Sequence, residues 1–113
     1  IGHGIENAAG YGRYLHGEAI SLGIVAACSI SMQKAGFSKT DYDRVLALLR
    51  QYDLPTRLPS DISTESIMTA LRTDKKFTGG NVRFVLSQGI GSAFLSKDVT
   101  LDEIKAAIEG LRL

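Results

Sequence analysis

Apolar and polar positions change period several times along the chain, and each change predicts an element or its end. Between residues 17 and 34 the apolar positions are Ala19, Ile20, Leu22, Ile24, Val25, Ala27, Cys28, Ile30 and Met32. At about 100° per residue they surround a helix axis instead of forming one stripe. That helix is expected to be central and buried. Residues 2–9 predict a shorter helix that stops at Gly10-Tyr11-Gly12, where glycine admits the positive φ other residues resist. Ala35-Gly36 supplies a second glycine stop. Ser38 with Asp41 predicts a capping-box-like start, Asp standing in for the usual Glu. Val45, Leu46, Leu48 and Leu49 then form one helical face as far as Tyr52, before Pro55.

Pro55 and Pro59 bracket a short connection that packs Leu54 and Leu58 and prevents the helix from continuing. Ser63 predicts the cap of a helix carrying Ile67, Met68 and Leu71. After a turn at Gly79-Gly80-Asn81, residues 82–86 and 92–95 read as two short strands around Gly89-Ile90-Gly91. Thr100 and Glu103 make a capping box for a last helix with Ile104, Ala107, Ile108 and Leu111 on one face. The expected architecture is one domain over residues 1–113, mainly α, helical with one small β-hairpin.

Composition narrows the classes without choosing a function. At 44% hydrophobic and 22% charged the chain is that of an ordinary globular domain. A net charge of +1 and the lack of a basic stripe give no expectation of a nucleic-acid partner. The apolar stretch from 19 to 32 falls short of the roughly 20 residues a membrane span needs, so no membrane partner is expected. The start lacks the charged and apolar regions of a signal peptide. The one cysteine, Cys28, excludes an internal disulfide and reads as a small buried hydrophobe in a reducing compartment. There is no initiator Met, and patterned sequence begins at once, which predicts a chain that starts inside a longer protein.

The chemistry concentrates near the start. His3 and His16 are the only histidines, and neutral imidazole is a common zinc ligand. One continuous helix would put them on different faces, whereas the glycine break can fold the second back toward the first. Two histidines do not complete a catalytic zinc site, and neither HExxH nor a Cys/His cluster is present. On spacing alone a histidine such as His16 is more often a structural hydrogen-bonding residue than a ligand, and His3 reads as an exposed residue of a helix start. Glu6 and Glu18 offer an acid and a base, or first-turn carboxylates favoured by the helix dipole. Asp74-Lys75-Lys76 offers paired ammonium groups to a phosphate or carboxylate, or a solvated turn. The glycine pairs are neither a P-loop nor a dinucleotide fingerprint, and no serine sits in a nucleophile elbow.

Taken in order, Gly2-His3-Gly4-Ile5-Glu6, Gly10-Tyr11-Gly12, Leu15-His16-Gly17-Glu18-Ala19, Asp74-Lys75-Lys76, Arg83-Phe84-Val85-Leu86 and Ile90-Gly91 resemble the C-terminal domain of the 3-dehydroquinate synthase family, within the sugar-phosphate cyclases. The likeness spans essentially the whole chain. It implies a shikimate-pathway lyase of aromatic amino acid biosynthesis that converts 3-deoxy-arabino-heptulosonate 7-phosphate to 3-dehydroquinate and phosphate. In that family NAD transiently oxidises the C5 hydroxyl, phosphate is eliminated, the ketone is reduced again, and ring opening precedes an aldol closure. Zinc, or sometimes cobalt, holds the substrate hydroxyls, and NAD is regenerated in each turnover.

Carried over by position, the resemblance makes His16 a metal ligand and His3 a catalytic, substrate-side residue for proton transfer and phosphate contact. Lys75 or Lys76 becomes the lysine of the phosphate pocket, and Glu18 a support for the helix start or the metal site. A further metal histidine one helical turn before His3, a phosphate-binding asparagine, the metal carboxylate and the NAD-binding domain are all expected upstream of Ile1. Gly4 replaces the alanine or threonine more usual in the family, which loosens the first helix. The resemblance thus implies a C-terminal metal- and substrate-binding domain, inactive alone, of a cytoplasmic homodimeric enzyme. Two alternatives accompany it: another cyclase of the superfamily acting on a different sugar phosphate, and a non-catalytic helical interaction domain.

Overall fold

The computed structural model describes residues 1–10, 16–72, 77–78 and 81–112, apart from the side chains of His3, Asn7, Arg72, Phe77, Thr78, Asn81, Val82 and Arg83. The elements are α1 (Gly2–Ala9), α2 (His16–Lys34), α3 (Lys39–Gln51), α4 (Thr64–Arg72), β1 (Phe77–Thr78), β2 (Asn81–Gly89), β3 (Ser92–Val99) and α5 (Leu101–Gly110). Helices dominate and one antiparallel hairpin accompanies them, as the sequence predicts.

Helix ends follow local chemistry. The Thr100 hydroxyl accepts the Glu103 N–H at 3.1 Å while the Glu103 carboxylate accepts the Thr100 N–H at 2.9 Å, a complete capping box. At α3 only half of such a box forms: Ser38 Oγ accepts the Asp41 N–H at 3.0 Å. The Asp41 carboxylate instead accepts the N–H of Ile90, in the hairpin turn, at 3.4 Å. Ser63 Oγ caps α4 through the Ser66 N–H at 3.0 Å. Gly10 and Gly36 take φ of 82° and 76° after α1 and α2, the left-handed stops their positions predict.

Helix α2 is the centre of the domain, packing against α1, α3, α5 and β2. Leu22, Val25, Ala26 and Ile30 join Ile5 of α1, Leu49 of α3, Ile67 and Met68 of α4, Leu86, Val99, and Ile104 and Ile108 of α5 in one core. The expectation of a helix buried all round needs one correction, because Ile20 and Ile24 are each 41% exposed. With His16 they recur every four residues, so one stripe of α2 faces outward. The polar Ser31 lies on an inward side: its hydroxyl donates to the Ala27 carbonyl at 2.8 Å and accepts the Ser87 N–H of β2 at 3.0 Å.

The hairpin is longer than the apolar runs suggested, and β1 adds a two-residue third strand on its edge in the order β1-β2-β3. Pairing runs from Gly89↔Ser92 through Val85↔Leu95 to Val82↔Val99. Ser87, Lys97 and Asp98 fall where the register shifts, between Leu86 and Gly89 and between Val82 and Phe84, so both strands run on through irregularities that the apolar pattern does not announce. On β3 only Ser96 and Val99 are buried, so most of that strand is exposed. Lys34 ties the sheet to α5, donating to the Asp98 carbonyl at 2.7 Å and to Glu103 at 2.9 Å.

Candidate metal and substrate site

Two glycines let α1 and α2 approach closely. A Cβ on Gly23 would stand 2.8 Å from the Gly2 nitrogen, and one on Gly2 would stand 2.9 Å from the Ala19 carbonyl oxygen. Gly4 faces α4 on the other side, where a Cβ would meet the Ile67 carbonyl at 3.3 Å. Gly4 therefore serves close packing, beyond the loosened helix its lack of a side chain predicts. Ile5, fully buried, drives α1 into the core between α2 and α4. Gly2, at the start of α1, lies against Ala19, Ile20 and Gly23 in the first half of α2, and Glu6, one turn on, meets His16 at its first residue, so the two helices run antiparallel.

There Glu6 meets His16. The His16 Nδ1 lies 3.0 Å from Glu6 Oε2, with the histidine side chain 68% exposed and the glutamate 25%. Glu6 is the fifth residue of α1, not a first-turn carboxylate, so the helix-dipole role expected of it does not apply. Neither the acid–base nor the helix-dipole alternative includes its partner, His16. The signal was the glycine break: an antiparallel return of α2 along α1 must bring some residue of the second turn to position 16.

An ionised carboxylate only accepts, so a neutral His16 ring donates through Nδ1 and keeps its lone pair on Nε2, in a side chain that is 68% exposed. This suits an imidazole that binds a metal, whose ligands commonly donate their other N–H to a carboxylate. Among the described residues no group of three or more His, Cys, Asp or Glu side chains gathers around a common point. His16 fits as one ligand of a metal site and does not make that site alone.

The remaining predicted residues are placed as follows. His3 is in the first turn of α1, but its side chain, like the whole of Lys75 and Lys76, lies outside the described residues. Of the turn expected at Gly79-Gly80-Asn81, residues 79–80 lie outside them too, and Asn81 opens β2. Glu18 sits in the first turn of α2, where a carboxylate complements the helix dipole. Cys28 is buried, and desolvation raises its thiol pKa, which fits a packing residue and not a nucleophile. A shallow groove lined by Ala8, Glu65, Ser66, Thr69 and Ala70 contains none of the predicted residues. Among the described residues no helix is long and apolar enough to cross a membrane.

Residues 1–77 match the family described as 3-dehydroquinate synthase C-terminal. The chain is 40% identical over 111 residues to 3-dehydroquinate synthase of Nostoc punctiforme, covering 98% of this chain and 31% of that protein. To the Prochlorococcus marinus enzyme of the same name it is 46% identical over 99 residues, covering 88% and 27%. It thus spans less than a third of the length of these curated relatives. Among solved structures it resembles 2-deoxy-scyllo-inosose synthase complexed with carbaglucose-6-phosphate, NAD+ and Co2+, with a TM-score of 0.84, 27% identity, and coverage of 96% of this chain and 32% of that one. It also resembles 2-epi-5-epi-valiolone synthase from Streptomyces hygroscopicus with NAD+ and Zn2+ bound, with a TM-score of 0.80, 30% identity, and coverage of 97% and 31%. By its match over residues 1–77 and its identity to relatives along nearly its whole length, the chain belongs to the 3-dehydroquinate synthase family.

Proposed function

We propose that residues 1–113 form the C-terminal, metal- and substrate-binding domain of a 3-dehydroquinate synthase, whose NAD-binding domain is supplied by sequence outside this chain. The complete enzyme is a lyase of the shikimate pathway, converting 3-deoxy-arabino-heptulosonate 7-phosphate to 3-dehydroquinate and phosphate. The observation that carries this is His16, whose Nδ1 lies 3.0 Å from Glu6 Oε2 and whose side chain, 68% exposed, stands at the head of the outward stripe of α2. Relatives at 40% and 46% identity bear the dehydroquinate synthase name, whereas the cyclases of other substrates stand at 27% and 30%. That difference favours dehydroquinate synthesis over another sugar-phosphate cyclisation.

In this scheme His16 binds a zinc or cobalt ion together with ligands from outside the chain. When bound, the metal supplies Lewis acidity at the C5 oxygen and NAD supplies reversible oxidation of that carbon. His3 lies against the substrate, moving a proton and contacting phosphate. Lys75 or Lys76 meets the phosphate as a point charge. The exposed Ile20 and Ile24 beside His16 suit a surface that the rest of the enzyme covers. The complete enzyme works in the cytoplasm as a homodimer.

Phosphate release from the heptulosonate phosphate, with NAD and zinc, tests the proposal. The full-length enzyme should turn over and yield 3-dehydroquinate, while the 113-residue chain alone should do neither. Turnover by the isolated chain would sink the divided site, and a different cyclic product would move the enzyme to another branch of the superfamily.

A further inference from the structure

We infer that Glu6 is a positioning residue for His16, selecting the Nδ1–H tautomer and aiming Nε2 at the metal. This rests on the proposed role of His16 as a ligand. Three features give Glu6 that hold on the ring. Its helix is fixed on two sides by backbone approaches at Gly2–Gly23 and Gly4–Ile67, and Ile5 beside it is fully buried. Glu6 is the more buried partner, 25% exposed against 68% for His16, so the carboxylate is the fixed member and the imidazole the presented one. Finally, His16 opens α2 and Glu6 lies on another helix, ten residues away, so the bond closes the α1–α2 return at the point where the ring emerges.

A neutral imidazole carries one N–H, and the bond made by one nitrogen decides the state of the other. With the proton held on Nδ1 against an acceptor-only carboxylate, Nε2 must present its lone pair. Glu6 thereby limits both the tautomer and the rotation of the ring before any metal arrives. A surface ion pair that only joined the helices would leave the tautomer and the metal affinity unaffected by its removal.

The test uses the full-length protein and its Glu6→Ala, Glu6→Gln and His16→Ala variants. Zinc affinity is read by competition with a chromophoric chelator, and the His16 tautomer by ring 15N shifts of the metal-free protein. Glu6→Ala should weaken zinc binding by about 10- to 100-fold and shift the ring toward Nε2–H. Glu6→Gln, whose amide oxygen still accepts, should recover part of both effects. Unchanged zinc affinity and tautomer in Glu6→Ala overturn the positioning role, provided His16→Ala loses the metal; should Glu6→Ala fail to fold, Glu6→Leu, which carries no acceptor, is read in its place. Retention of zinc by His16→Ala instead overturns the metal role of His16 and this inference with it.

Discussion

Replacing Gly23 with alanine puts a number on the closeness of α1 and α2. In an unobstructed helix the change is favourable by about 1 kcal/mol, since alanine loses less backbone entropy. At Gly23 the new Cβ would lie 2.8 Å from the Gly2 nitrogen and 3.1 Å from its Cα. That is about 0.7 Å short of an ordinary contact of about 3.5 Å. Both obstructing atoms are backbone, so no side chain can swing away and the helices themselves must part. Overpacking of this kind costs about 1–3 kcal/mol. Set against the propensity gain, the expected net loss is about 1 kcal/mol, or about 4 °C in Tm for a domain of this size. Gly110→Ala is the control, because nothing lies within 4 Å of a Cβ there and its Tm should hold or rise. The separation also draws Glu6 from His16, so zinc affinity should fall with stability. Should Gly23→Ala melt as high as Gly110→Ala, backbone contact does not set the spacing of this seam.

The C-terminal lock is a second target: the Arg112 guanidinium donates to the Pro59 carbonyl at 2.9 Å, the Ile62 carbonyl at 2.6 Å and the Thr64 hydroxyl at 3.0 Å. Arg112→Ala should lose about 2–3 kcal/mol in denaturant titration, and Arg112→Lys should recover less than half, since one ammonium cannot span the same acceptors. Thr100→Ala, which removes the capping-box acceptor of the Glu103 N–H, should cost about 1 kcal/mol by the same measurement. The hydrogen bond from Lys34, then that from the Thr100 N–H, holds the Glu103 carboxyl below its ordinary pKa. Its contribution is therefore complete above the unfolded value of about 4.3 and lost as pH falls through the folded one. The Tm difference between the unmodified protein and Glu103→Gln should shrink on acidification, and a gap that widened would contradict this. Because burial raises the Cys28 thiol, its alkylation in native protein at pH 8 should run at least about tenfold slower than in denaturant.

Much of this protein is legible in its sequence because much of it is local. Ser38, Ser63 and Thr100 cap helices by bonds to residues three positions on, Gly10 and Gly36 end helices through their own φ, and period alone marks α2 as central. The motifs from Gly2-His3-Gly4-Ile5-Glu6 through Leu15-His16-Gly17-Glu18-Ala19 to Asp74-Lys75-Lys76 resemble a known family in their order, a likeness that needs no knowledge of packing. What the sequence could not decide lies between elements. That Ile20 and Ile24 share an outward stripe with His16 depends on which sides α1, α3, α5 and β2 occupy. The length of the hairpin depends on backbone pairs such as Phe84↔Ser96 and Gly89↔Ser92, which the apolar pattern does not announce. Above all, Glu6 and His16 become partners only because Gly2 and Gly23 let two backbones touch. A pattern of side chains states what each residue prefers; where two helices meet is fixed by the space left when side chains are absent.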